Sequence, residues 1–423
     1  MKEDFIHYLW QFKKFDVLHL KTVDGEPIEI ANVGEHNKNA GPDFFNAKLK
    51  IGNQEWAGNV ELHLKSSDWY VHGHDSDVYY DTTILHVVWE YDSEVKRTNG
   101  TVIPTTELKP VVALDVQLRY FDLFSKQNKW INCESRLGDV PQFVIDNWLD
   151  RLYFERLMNK TEVIDLLLEQ SNSDWEWVMF YLLSKNFGLK VNGEAFASMA
   201  KSIPFAVIRK VAAKQEDLEA LFFGQSKLLV KPFESEYYKS LKSNYEYLSH
   251  KFQLNNSHVV SPVYFRLRPP NFPTIRLSQL SVLYNTHHNL FSNLIDLKSV
   301  DNIYKVFDVG VSNFWKTHYS FQSQTKSSNR KLSKSFIDLL VINTIIPLQF
   351  SYAKRHTYNW DANILQLSRS VKPESNSIVK GFVRLKLDCE SAVQSQALIQ
   401  LKTNYCDKNK CLQCEVGSSL ISN

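Results

Sequence analysis

The stretch Gly41–Trp69, GPDFFNAKLKIGNQEWAGNVELHLKSSDW, reads as two strands joined by a turn. Gly41-Pro42-Asp43 carries turn chemistry and opens the first strand. Ala47, Leu49 and Ile51 then alternate with Asn46, Lys48 and Lys50, the period-two pattern of a half-buried strand. The turn follows at Gly52. In the second strand Val60, Leu62 and Leu64 share one face, and Glu61, His63 and Lys65 share the other.

Working outward, EDFIHYLWQFKKF places Phe5, Ile6, Leu9, Trp10 and Phe12 at helical spacing and predicts a first helix. PIEIANVG predicts a strand. TTILHVVWEY is apolar on both faces, as in a central buried strand, and TVIPTTELKP predicts a short strand pair. Beyond about residue 125 the texture becomes helical, from PQFVIDNWLDRLYFERLMNKTEVIDLLLEQ to SAVQSQALIQLKTNYC. The expected class is α+β: residues 1–122 form an N-terminal helix with a mainly antiparallel or mixed sheet, and 123–423 form a large helical domain. Trp175 and Trp177 read as core, and SQTKSSNRKLSKS as a mobile basic loop.

The net charge of +2 does not announce a nucleic-acid binder, and a local basic groove is compatible with a neutral total. MKEDFIHYLWQFKKF lacks the apolar run and cleavage site of a signal peptide. No stretch reads as the ~18 apolar residues of a membrane span. Five cysteines, an odd number in a large chain, argue against a disulfide framework and for a reducing cytoplasm.

Asp43 at a strand entry and Glu61 on the next strand can meet across a sheet and hold magnesium or manganese through oxygen ligands. His63 or Lys65 would then activate water or steady charge on a phosphate. The surroundings are dense in donors: Glu35 and His36 upstream, and Asp68, His72, His74, Asp75 and Asp77 downstream, with His86 inside an apolar strand. His72 and His74 form a His-x-His pair that suits a transition metal such as zinc, manganese or iron. Against these readings stands a plain one, in which the three charged residues are the wet face of a surface hairpin and His86 is a satisfied core residue.

Pro42-Asp43 followed eighteen positions later by Glu61 resembles the motif of the PD-(D/E)xK nuclease fold, in which a lysine stands two residues after the acidic one. Here His63 stands at that position, and the nearest lysine on the same face is Lys65. The resemblance implies a metal-dependent nuclease acting on DNA or RNA, with Asp43, Glu61, His63 and Lys65 as the catalytic set.

The tail YCDKNKCLQCEVG spaces Cys406, Cys411 and Cys414 as C-x4-C-x2-C. Cys-x-x-Cys brings two thiolates to one metal, and a third nearly completes a tetrahedral site. Cys389 is the nearest fourth ligand by sequence, with Cys133 and His356 as further candidates. Zinc is the default occupant and an iron–sulfur cluster the alternative, by analogy with nucleases that end in such a cluster. In LRPPNFPTIRLSQL, Arg266, Arg268 and Arg276 flank a stiff proline turn, either as phosphate forks or as a structural elbow.

NAGPDFFNAKL, GNVELHLKSSDWYVHGH, LHVVWEYD, RPPNFPTIRLSQL, INTIIPLQFSYA and YCDKNKCLQC together resemble a bacterial domain family of unknown function. That resemblance implies a bacterial, cytoplasmic setting and no particular activity. Three functions stand open: a metal-dependent nuclease; a non-catalytic nucleic-acid or protein-binding scaffold with structural zinc; and a histidine-metal hydrolase of a small substrate.

Overall fold

The structure, a computed structural model, describes residues 1–37, 40–125, 129–356 and 361–422. It is α+β. In chain order α1 (Glu3–Gln11) precedes β1 (Ile28–Asn32), β2 (Glu35–His36), β3 (Phe44–Ile51), β4 (Gln54–Lys65) and the one-turn α2 (Asp68–Val71). Then come β5 (Thr83–Glu90), β6 (Thr105–Glu107) and α3 (Leu114–Leu123), and the rest is helical. The chain forms two compact units, Met1–Trp148 with Leu401–Asn423, and Leu149–Gln400. The sequence reading draws one boundary, at 122/123; the contacts draw two, and they group the cysteine-bearing tail with the N-terminal unit.

The sheet runs β1-β3-β4-β5-β6, with β2 also paired to β3. The β1–β3 and β3–β4 pairs are antiparallel, whereas β4–β5 and β5–β6 are parallel. The sheet is therefore mixed. The strand pair expected in TVIPTTELKP is a single strand, β6; Val102 makes only an isolated bridge to Lys96. Ala47, Leu49 and Ile51 are buried, as their alternation requires. β5 is buried on both faces from Thr83 to Val88, including His86.

β4 departs from simple alternation. Val60 and Leu62 are buried, and so are Glu61 and His63 on the opposite face, at 4% and 1% exposure. The face that carries the charges is covered, so the wet-hairpin reading does not describe it. The cover is the segment after β4, where Trp69 packs against His86 and His74 stacks on Tyr80. The helix α1 packs on the other, apolar face of the sheet, buries Phe5, Ile6, Tyr8, Leu9 and Trp10, and sets Phe5 against Trp89. Phe5 stacks on Tyr120 of α3 at 4.1 Å. Tyr8 Oη lies within hydrogen-bond reach of the Ser418 and Ser422 hydroxyls, so the tail seats the same helix.

In the second unit Phe180, Phe205, Phe222 and Tyr284 pack together, and Trp175 stacks on Phe291. Arg276 is buried, donates to Asn271 Oδ1 (2.7 Å) and Gln279 Oε1 (2.9 Å), and lies 3.6 Å over the Phe336 ring. It is part of a structural elbow, while Arg266 and Arg268 are exposed. The basic loop is tethered: Arg330 donates to the His318 and Lys316 carbonyls and stacks on Tyr319. Lys334–Arg355 has the length and apolar character of a membrane span, but it lies mostly buried within the fold as a core helix.

The β4–β5 approach sets a strict local demand. A Cβ on Gly58 would sit 2.4 Å from Ile84 Cγ2 and 2.7 Å from the Thr82 carbonyl oxygen. The second of these is backbone and cannot rotate away. Gly58→Ala is expected to destabilise the protein by about 1–3 kcal/mol, the usual cost of overpacking. Gly138→Ala, where a Cβ meets nothing within 4 Å, is expected to change stability little. Urea unfolding of the two variants checks this.

Candidate metal centre

Asp43 and Glu61 lock together where the β3–β4 ladder ends. The last backbone pair at that end is Phe44↔Val60. At the next rung the side chains take over. The Asp43 backbone N–H donates to Glu61 Oε2 at 3.0 Å, and the Leu62 N–H donates to Asp43 Oδ2 at 3.0 Å. Each carboxylate thus uses one oxygen to hold the other strand and keeps its second oxygen for other partners.

Glu61 Oε1 faces imidazoles. His74 Nε2 lies 3.4 Å away and His63 Nε2 3.7 Å away. His63 is gripped on both sides: Nδ1 is 2.8 Å from His86 Nε2, and Nε2 is 3.0 Å from His72 Nδ1. Its ring has one orientation. His63, His72 and His74 each place a ligand nitrogen within 4.8 Å of the other two. His74 stacks on Tyr80 at 3.7 Å between ring centroids, which fixes the loop that carries the His-x-His pair.

Sequence reasoning missed the contribution of α1. Its Glu3 and His7, four residues apart, share one side of the helix. His7 Nε2 lies 3.3 Å from Asp43 Oδ2. The available signal was a histidine set between the apolar Ile6 and Tyr8 on an otherwise core-forming helix. The structure also separates residues that the sequence grouped. Lys65 is exposed at the end of β4, with its charge near Asp92 rather than in the histidine cluster. Glu35 is exposed on β2; its neighbour His36 instead stacks on Phe44 and meets His7 edge-on. Cys389 falls in the second unit, and Cys406, Cys411 and Cys414 fall in the first.

Burial dominates the electrostatics. It pushes His63 down to about 2, helped by the neighbouring His86, His74 and His72. It pushes His86 down to about 3, and His74 also downward. Both His63 and His86 are therefore neutral at pH 7. Burial, with Asp43 beside it, raises Glu61 far above the ordinary carboxylate range, so without a cation the group carries a proton. His7 goes the other way: burial lowers it, but its bond and charge contact with Asp43, then Glu3 and Asp4, outweigh burial and raise it. Burial likewise raises Glu3, although His72 and His7 oppose the shift.

The donor set fits a divalent transition metal. Imidazole nitrogens and a Glu61 oxygen converge. Three imidazoles move the fit away from magnesium, which prefers oxygen, toward manganese, iron or zinc. The His63–His86 bond supplies the outer contact that commonly orients a ligating imidazole.

Residues 3–377 match a family described as a protein of unknown function, DUF2851. The chain belongs to that family. No curated protein and no solved structure matches it. The family description carries no activity, so the chemistry rests on the residues.

Two titration behaviours follow. First, an ion must displace the Glu61 proton, so manganese or zinc affinity is expected to rise about tenfold per pH unit near neutrality. Calorimetry in non-coordinating buffers should show one proton released per ion, and Glu61→Gln should abolish that release. Second, unfolded histidine protonates near its ordinary value of about 6.5, whereas folded His63 and His86 resist to about 2 and 3. The unfolded chain therefore binds more protons in between. This stability is full above the ordinary value and is lost as pH falls toward the folded ones. Glu61 has the opposite sign: its part is full below the ordinary carboxylate value and fades as pH rises. Thermal melts of metal-free protein from pH 7 to 4 should show a net loss, since two imidazoles outweigh one carboxyl.

Proposed function

We propose that the protein is a metal-dependent phosphodiesterase acting on nucleic acid, with its active site at the β3–β4 ladder end. One observation carries the reading: Asp43 and Glu61, on neighbouring strands, interlock beside three converging imidazoles, and α1 adds His7. A surface hairpin needs none of this. The nucleic-acid substrate is supported by the Pro42-Asp43 and Glu61 pattern, and by the element order of helix, antiparallel hairpin and a following strand parallel to β4.

The roles follow from position. Glu61, His63, His72 and His74 would hold the ion, with Asp43 adding its free oxygen. A bound divalent metal lowers the pKa of a coordinated water and polarises a phosphoryl oxygen. His7 is the imidazole of the group whose proton affinity is raised, so it can carry a proton to a leaving oxygen. Asp43 orients that imidazole. His86 fixes His63, and Tyr80 fixes His74. Lys65 takes no part, which separates this site from one in which a lysine stands two residues after the acidic position.

The imidazole-rich donor set also suits a hydrolase of a small phosphodiester, and the test distinguishes the two. Metal-loaded protein is assayed on plasmid, single-stranded DNA, RNA and bis(p-nitrophenyl) phosphate. Asp43→Asn, Glu61→Gln and His63→Ala are expected to lose about 100-fold or more, consistent with removing a metal ligand or its partner. Lys65→Ala should stay near wild type. Turnover of the small diester alone would move the substrate class. No turnover of any diester by folded, metal-loaded protein would sink the proposal.

A further inference from the structure

A second cluster lies in the same unit, built from residues far apart in the chain. Cys133 belongs to the segment after α3, whereas Cys406, Cys411 and Cys414 come from the tail that returns to this unit. The two segments are tied directly. The Asn132 amide Nδ2 donates to Cys411 Sγ at 3.3 Å and to Asn409 Oδ1 at 3.2 Å. The four thiols are close enough to influence one another: Cys133 feels Cys414 and Cys411, and Cys406 feels all three others. All four are reduced, and none is fully exposed. Burial pushes every one of them upward, to about 12 for Cys133 and about 11 for Cys414.

The tail backbone is shaped around its sulfurs. Cys406 ends a π-helical segment, Leu401–Cys406, and its carbonyl accepts from the Asn409 N–H at 3.1 Å. The Cys411 carbonyl accepts from the Cys414 N–H at 3.2 Å. The Val416 and Gly417 N–H groups donate to the Cys414 sulfur. Position 417 has no room for a side chain, because a Cβ there would sit 2.1 Å from the Cys411 carbonyl oxygen. Backbone N–H donors aimed at a buried sulfur are suited to a thiolate, and they tune sulfur-ligated metals.

We propose that Cys133, Cys406, Cys411 and Cys414 together hold a thiolate-bound metal centre, a zinc ion or an iron–sulfur cluster, that closes the first unit by joining its two chain segments. Cys133 replaces Cys389 as the fourth ligand. Four thiolates complete a tetrahedral zinc site and equally bind an iron–sulfur core; metal analysis separates the two.

The test uses the full-length chain purified without oxygen. The protein should carry either about one zinc per chain or iron and acid-labile sulfide in near-equal amounts, the latter with a broad visible absorption that reduction bleaches. Cys133→Ser and Cys406→Ser should lose this metal; Cys389→Ala and His63→Ala should retain it, which keeps this centre distinct from the histidine site. Should the serine variants fail to fold, thiol alkylation of the native wild type decides. Cys389 alone should be labelled, and all five should be labelled after unfolding with a chelator. Metal-free protein, or ready labelling of Cys133 in the native state, would overturn the proposal.

Discussion

Two carboxylates that do the work of backbone hydrogen bonds hold this structure's centre together. Asp43 and Glu61 extend the β3–β4 ladder by one rung through their side chains. Glu61 is thereby carried into a covered space, where an unpaired negative charge is costly. The space must contain a proton or a cation. Around that requirement the other groups are ordered: α1 brings His7 and Glu3, the loop after α2 brings His72 and His74, and β5 brings His86 behind His63.

The unit that carries this site is assembled from both ends of the sequence. Tyr8 on α1 meets Ser418 and Ser422, and Arg119 on α3 donates to the Ile421 carbonyl. The helix that brings His7 to Asp43 is thus seated partly by the tail. A break in the tail would reach His7 through its immediate neighbour, Tyr8. The long helical stretch between the two pieces is encoded as an insertion into this unit and has its own aromatic core.

Much of the fold was legible because local periodicity reports burial. The first helix, the hairpin and the buried β5 followed from spacing at 3.6 or 2 residues. The candidate carboxylates and the His-x-His pair were also visible, since their residue types sit close in sequence. What alternation could not report is a strand buried on both faces with charges on one of them. Glu61 and His63 read as solvent-facing because alternation does not say that the segment carrying Trp69, His74 and Tyr80 folds back over them. Lys65 shares their periodicity but stands past the edge of the cover, so the same pattern has two outcomes within five residues.

The amino-acid order by itself determined the element types, the ladder-end placement of Asp43 and Glu61, and the spacing of the three tail cysteines. These depend on backbone geometry and neighbours within a few residues. The tertiary structure alone decided that His7 joins the carboxylates, that Cys133 and not Cys389 accompanies the tail, and that the charged hairpin face is buried. Those outcomes depend on which distant segments pack together. That packing is set by the summed burial of α1, the sheet and the tail, a quantity no short window contains.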